Sequence, residues 1–195
     1  MLRNIYNGIA FQAGWLACVL GVINGIPMLG PTVVAMLLGV HLLFFAHDPA
    51  REARIVLTVA LLGSLLDVVQ IKLGVFSFTQ DVWLYPLWMT SIWMMFATTL
   101  SGSMSWLSRR YLMAAVLGAV CGPLSYGAGV RLGAIEFASN PMWSILALGA
   151  VWGLAMPGLM HLAAPTSLAA EPAVLRLLIR GGGGLSERSL KPPWA

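Results

Sequence analysis

The chain has 195 residues, of which 59% are hydrophobic and 9% are charged, and its formal net charge is +4. A soluble domain carries about 25% charged residues, so the composition excludes an ordinary soluble fold and indicates an integral membrane protein. The basic residues cluster at the ends of apolar runs, which argues against nucleic-acid binding.

Six segments are apolar enough to cross a bilayer, which takes roughly 20 mostly apolar residues. The first follows Arg3 and has spanning length without a convincing cleavage site, so we expect a retained helix rather than a cleaved signal. Residues 25–27 form a tight turn, which makes the first two segments antiparallel neighbours. The predicted spans are 5–24, 28–46, 54–72, 83–101, 111–131 and 142–163.

Lysine and arginine are unequally divided between the two sides of these spans. With the N-terminus inside, the inner set is Arg3, Arg51, Arg54, Arg109, Arg110, Arg176, Arg180, Arg188 and Lys191, and the outer set is Lys72 and Arg131. The positive-inside rule therefore predicts an all-α bundle of six transmembrane helices with both termini in the cytoplasm.

The composition changes after the last span. Residues 1–163 are predicted to form the six-helix transmembrane domain, and residues 164–195 a cytoplasmic tail. Arg176 and Arg180 lie four residues apart, which predicts a short interfacial helix over 172–180. The glycine-rich stretch and the polar end that follow are predicted to be disordered.

Ionisable side chains inside the spans are the main candidates for a site, because a buried aspartate costs about 3 kcal/mol on insertion scales. Asp67 lies roughly 8 Å below Lys72, and Gln70 shares its helix face. The fifth span brings Ser125 and Tyr126 to a similar depth and Arg131 to the outer edge. The predicted outer-leaflet pocket comprises Asn24, Asp67, Gln70, Tyr85, Trp88, Ser125, Tyr126 and Arg131.

We expect Asp67 and Arg131 to form an ion pair that organises this pocket. Two other interpretations stand beside a ligand site. Arg131 and Lys72 extend outward to water, or the Asp67–Arg131 pair only fixes the packing of the third helix against the fifth.

A second polar cluster is predicted toward the cytoplasm and comprises Asn7, Gln12, His41, Thr98 and His161. The threonine hydroxyl is expected to bond its own helix backbone. The histidine spacing fits no zinc or iron pattern, so neither a metal nor a cofactor is expected. The stretch PLSYG around Ser125 lacks the first glycine of a hydrolase elbow, so no catalytic residue is assigned.

Glycine and proline mark the last two spans. GAVCG at 118–122 and GAVWG at 149–153 each place small residues four apart, which predicts helix-packing faces. Pro123 removes a backbone donor and is expected to kink the fifth helix.

Four stretches of the sequence stand out: NGIAFQAGW, LDVVQIKLGVFSF, PLWMTSIWMMFATTL and GPLSYGAGVRLGA. Together they resemble a bacterial membrane family catalogued as domain of unknown function 2878. The resemblance covers about residues 4–163 and excludes the tail. It implies a small multi-pass inner-membrane protein without an assigned activity. The family's genes often lie beside lipid-modifying genes, which implies, by association, a role in envelope lipid modification or membrane stress.

Three functions remain open at this level. An accessory protein or enzyme acting on membrane lipids predicts an outer-leaflet pocket that opens sideways to lipid. A small-solute or ion transporter predicts one continuous polar path and repeat symmetry or broken helices. A structural partner of other membrane proteins would use the glycine faces. The lack of an internal repeat favours the first, with membrane lipids as partners, membrane proteins as further candidates and nucleic acids excluded.

Overall fold

The computed structural model describes residues 2–80, 86–137 and 140–164, which form six α-helices and two short strands. The predicted interfacial helix over 172–180 and the predicted disordered end lie outside the described residues. The helices are α1 Leu2–Ile23, α2 Leu29–Val40, α3 Pro49–Lys72, α4 Leu87–Ser101, α5 Tyr111–Leu132 and α6 Pro141–Ala163. A π-helical turn, His41–Phe45, continues α2, and a 3-10 turn, Ser105–Leu107, precedes α5.

Local capping signals begin two of the helices. The carboxylate of Asp48 accepts the backbone N–H of Arg51 at 3.0 Å, and Pro49 occupies the start of α3. The side chain of Asn140 likewise accepts the backbone N–H of Met142 at 3.1 Å at the start of α6. Both patterns satisfy backbone donors that a helix leaves unpaired at its N-terminus. Helix α3 therefore begins ahead of the predicted residue 54.

Four of the described helices, α1, α3, α5 and α6, are long and apolar enough to cross a membrane, by length and composition. The apolar helix formed by α2 and the π-helical turn is shorter, and α4 has 15 residues. Helix α4 nevertheless occupies the centre of the bundle, because it packs against α1, α2, α3 and α6.

Contacts between helix ends define two sides of the bundle. On the N-terminal side, Arg3 of α1 contacts Glu52 of α3 and the backbone of Ser101 in α4. On the opposite side, which we call the β side, strands β1 (Phe76–Phe78) and β2 (Ile135–Phe137) pair antiparallel. Successive helices therefore run in alternate directions. The two strands, each three residues long, were not predicted from the sequence.

Glycine lets α5 and α6 approach closely. A Cβ on Gly118 would lie 2.4 Å from the carbonyl oxygen of Trp152, and one on Gly122 would lie 2.3 Å from the Trp152 ring. On the facing helix, a Cβ on Gly153 would lie 3.3 Å from that of Ala119. The predicted packing faces are thus confirmed, and they pack against each other. Pro123 lies buried within α5, which continues past it as one helix.

Candidate functional site

The carboxylate of Asp67 is the centre of a buried polar cluster toward the β side, the Asp67 cluster, which comprises Asp67, Gln70, Trp93 and Tyr126. Its Oδ2 accepts the indole N–H of Trp93 at 2.7 Å, and its Oδ1 accepts the hydroxyl of Tyr126. The side-chain amide of Gln70 also donates to Oδ1, at 3.5 Å. Asp67 is 0% exposed, and the other three residues are buried as well. Because a buried carboxylate needs hydrogen-bond donors, these contacts tie α3, α4 and α5 together at one point.

The orientation of the Trp93 indole is set by two close contacts. A Cβ added to Gly63 of α3 would lie 2.0 Å from the ring, so the ring packs directly on the α3 backbone. The Trp152 ring is stacked on it at a centroid distance of 5.0 Å with an interplanar angle of 6°. These two contacts leave the indole little freedom. The N–H of Trp93 is therefore held toward Asp67.

An apolar cavity of about 280 Å³ lies between α1, α4 and α5, and α6 contributes to its wall. Along α5 the lining runs from Leu117 to Gly129, which is about 18 Å of helix. Trp93 and Tyr126 both line the cavity and both donate to Asp67. The aromatic part of the wall comprises Phe11, Trp15, Trp88, Trp93, Phe96, Tyr126 and Trp152.

The cavity reaches the lateral surface of the bundle. Cys121 and Ser125 of α5 line it, and both residues are exposed. The hydroxyl of Ser125 donates to the carbonyl oxygen of Gly122 at 2.8 Å, and that of Tyr126 donates to Asp67. Since both hydroxyls donate their protons within the protein, the wall offers a ligand mainly hydrocarbon and aromatic surface.

A second buried polar cluster lies on the N-terminal side, and we call it the His41 cluster; its members are Arg3, Asn7, His41 and Glu52. His41, the first residue of the π-helical turn, places its Nε2 2.7 Å from Oε2 of Glu52 and its Nδ1 3.3 Å from Nδ2 of Asn7. Arg3 donates to Oε1 of Glu52 at 3.3 Å and to the carbonyl oxygen of Ser101 at 3.0 Å. These contacts link α1, α3, α4 and the π-helical turn. Turns of this type occur frequently at functional sites.

The residues predicted for the outer pocket separate into three groups. Asp67, Gln70 and Tyr126 meet in the Asp67 cluster, and Trp88 and Ser125 line the cavity beside it. Two others do not join them: Asn24 is exposed and donates to the carbonyl of its own helix at Leu20, and Arg131 is exposed. Tyr85 lies outside the described residues.

The predicted ion pair between Asp67 and Arg131 is wrong. In the described part of the chain Arg131 takes part in no ion pair, and its side chain is exposed. The Asp67 carboxylate instead accepts hydrogen bonds from Trp93, Tyr126 and Gln70. The physical reason is that neutral aromatic donors from the neighbouring helices already occupy both carboxylate oxygens.

The second predicted cluster is brought together only in part. Asn7 and His41 are in contact. Thr98 is buried, and its hydroxyl donates to the carbonyl of Met95 at 2.8 Å. This is the predicted hydrogen bond to the backbone of its own helix. Gln12 and His161 are exposed and lie apart from this cluster, and the Nδ1 of His161 is 3.2 Å from the Tyr111 hydroxyl.

Three residues of these clusters were not assigned to a site from the sequence. Trp93 had a usable signal, since it lies at the same depth in α4 as Asp67 does in α3. Glu52 follows Arg51 and precedes residue 54, where the third span was predicted to begin. Arg3 was interpreted only as a flanking charge, and no sequence signal pairs it with Glu52.

Four of the described helices are long and apolar enough to cross a membrane, and such helices around buried polar clusters are typical of a helical membrane protein. A family model described as protein of unknown function (DUF2878) matches residues 4–158, and the chain belongs to this family. No curated protein and no solved structure matches the chain.

Proposed function

We propose that this protein is a bacterial inner-membrane protein that binds a membrane lipid by holding one of its hydrocarbon chains in the cavity between α1, α4 and α5. One observation carries the proposal: an apolar, largely aromatic cavity opens onto the lateral surface of a membrane-type bundle at Cys121 and Ser125. Apolar clefts that bury most of a ligand are the usual form of a small-molecule site. In a spanning chain, this opening faces lipid rather than water.

The position of the cavity favours a lipid of the outer leaflet. Its lining begins at Met104 and Leu117, nearer the N-terminal side, but most of its residues lie in the half of the bundle toward the β side, where α5 ends. The lysine and arginine distribution predicts six spans with the β side outside. A lipid hydrocarbon chain that enters the cavity along α5 would lie parallel to the other lipid chains of the bilayer. The lipid head group would stay at the β-side interface, because the hydroxyls of the wall already donate within the protein.

In this proposal Asp67 is a positioning residue. Its carboxylate holds Trp93 and Tyr126, and both of these form part of the cavity wall. The indole and the phenol thereby turn their polar atoms away from the cavity and their carbon surfaces toward it. The cost of burying an aspartate is offset by the donors it receives.

The geometry favours lipid binding over solute transport. A buried apolar layer that includes Val59 and Ala60 of α3 and Ala97 of α4 lies between the Asp67 cluster and the His41 cluster. A hydrated solute would have to cross this layer. The structural-partner alternative is also weakened, because Gly118, Gly122 and Gly153 already pack within the chain.

Cavity-filling variants test the binding proposal. Cys121→Trp places a large ring at the cavity mouth, whereas Val120→Trp places the same ring on an exposed position of α5 that does not line the cavity. Native mass spectrometry of the detergent-purified protein should show a retained lipid in the wild type and in Val120→Trp, and its loss in Cys121→Trp. Equal lipid retention in all three proteins would rule the cavity out.

A role in envelope lipid modification is the further step that the family resemblance suggests. Lipid analysis of a deletion strain against its complemented strain tests it separately. Altered acyl chains or head groups, restored by the wild type and not by Cys121→Trp, would support the role. Unchanged lipids under normal and oxidative conditions would restrict the protein to lipid binding.

A further inference from the structure

The His41 cluster contains a titratable ring that the lipid-binding cavity does not use. His41 and Asn7 are each 0% exposed, and Glu52 is 5% exposed. The Arg3 side chain is 22% exposed and forms the outer edge of the cluster. Histidine is the side chain whose charge ordinarily changes between about pH 5 and 8. Since both ring nitrogens of this buried histidine have partners, those partners determine which nitrogen carries a proton.

With the Asn7 amide oriented as in the structure, the contacts of the ring fit one protonation state. Nδ2 of Asn7 can only donate, so Nδ1 of His41 accepts and carries no proton. Nε2 of His41 then carries the proton and donates it to Glu52 at 2.7 Å. In this arrangement the imidazole is neutral, and the ionised Glu52 is also paired with Arg3.

The Asn7 carboxamide can adopt a second orientation. Its Oδ1 is buried without a hydrogen-bond partner, which costs about 1–3 kcal/mol for a buried acceptor. A half-turn of this amide exchanges its oxygen and nitrogen. The oxygen would then face Nδ1 and accept a hydrogen bond from its N–H. The same buried site can thus satisfy both the neutral ring and the protonated ring.

We propose that His41 is a proton-binding site, and that the Asn7 amide turns over when His41 takes up a proton on Nδ1. In the protonated state Nε2 donates to Glu52 and Nδ1 donates to Oδ1 of Asn7. Among the described residues, the titratable or charged side chains that face His41 or its hydrogen-bonded partners are Glu52 of α3 and Arg3 and Tyr6 of α1. Helix α4 contributes the backbone of Ser101. This proposal is independent of lipid binding.

Nitrogen NMR of the full chain tests the proposal. The protein, labelled with 15N-histidine, is placed in lipid nanodiscs, and the His41 signals are identified by their loss in His41→Gln. At high pH, His41 should show one protonated and one unprotonated nitrogen. Lowering the pH should protonate both nitrogens. An Nδ1 that stays unprotonated down to the lowest pH at which the protein remains folded would overturn the proposal.

Variants at Asn7 separate a proton site from a packing role. Asn7→Asp supplies a permanent acceptor and should raise the ratio of protonated to neutral His41 at least about tenfold at a given pH. Asn7→Leu removes the acceptor and should lower it. Gln12→Asp places a carboxylate at an exposed position of the same helix and should leave the ratio unchanged.

Glu52→Gln provides a second measurement if Asn7→Asp does not fold. Without the Glu52 charge, the protonated fraction of His41 should fall at every pH. An identical His41 ratio in the wild type and in every folded variant at Asn7 and Glu52 would show that the cluster is only structural.

Discussion

Trp93 and Asp67 are joined by a 2.7 Å hydrogen bond between the indole Nε1 and the carboxylate Oδ2, which crosses from α4 to α3 inside the bundle. The bond makes the central helix of the bundle a donor to the buried acid of its neighbour. Tyr126 donates to the same carboxylate from α5. The buried acid therefore sets the mutual position of three helices and of two residues of the cavity wall.

Replacing either partner of this bond should destabilise the protein, and the effects of the two replacements should not be additive. In a cycle of Asp67→Asn and Trp93→Phe, we expect a coupling energy of about 0.5–3 kcal/mol, as for directly contacting residues. The free energy of unfolding in detergent provides the measurement. Pairing Asp67→Asn with Trp106→Phe, an exposed residue on the N-terminal side, should give additive effects. Additivity in both cycles would contradict the role assigned to Trp93.

The contact between Gly63 and the Trp93 ring should be intolerant of a methyl group. Gly63→Ala places a Cβ 2.0 Å from the ring, and such overpacking typically costs about 1–3 kcal/mol. Gly127→Ala is the matched control, since a Cβ at this helical glycine meets nothing within 4 Å. It should stabilise α5 by about 0.5–1 kcal/mol. A Gly63→Ala protein as stable as Gly127→Ala would show that the ring is not held there.

In the His41 cluster, Glu52 should contribute more to the stability of the protein than Arg3. Glu52 is largely buried and bonds both His41 and Arg3, so Glu52→Ala should cost about 3 kcal/mol. Arg3 is partly exposed, so Arg3→Ala should cost only about 1 kcal/mol. Thermal unfolding in detergent gives the order. A larger loss for Arg3→Ala than for Glu52→Ala would contradict the cluster as described.

The sequence predicted the helices well because the apolar runs and the glycine faces are local signals. It also located Asp67, since the cost of burying a charge marks any aspartate within a span. It assigned the wrong partner, because opposite charge was weighed and aromatic N–H and O–H donors were not. Glu52 was missed since only the folded chain brings Arg3 and His41 to it.

The predicted orientation is testable with single cysteines in a background of Cys18→Ala and Cys121→Ala. Glu136→Cys lies on the β side and Arg110→Cys on the N-terminal side, and both positions are exposed. A membrane-impermeant maleimide added to intact cells should label the cysteine at 136 and should reach that at 110 only after permeabilisation. The reverse pattern would place the cavity toward the inner leaflet.

The most direct test of the lipid-binding proposal is photo-crosslinking with a phospholipid that carries a diazirine near the end of one acyl chain. In nanodiscs, we predict adducts concentrated on cavity residues such as Phe11, Ile92 and Leu117. Exposed residues on α3, such as Leu57 and Leu61, should be labelled weakly, and Cys121→Trp should remove only the cavity adducts. Uniform labelling of all exposed residues, unchanged in Cys121→Trp, would contradict a lipid held in the cavity.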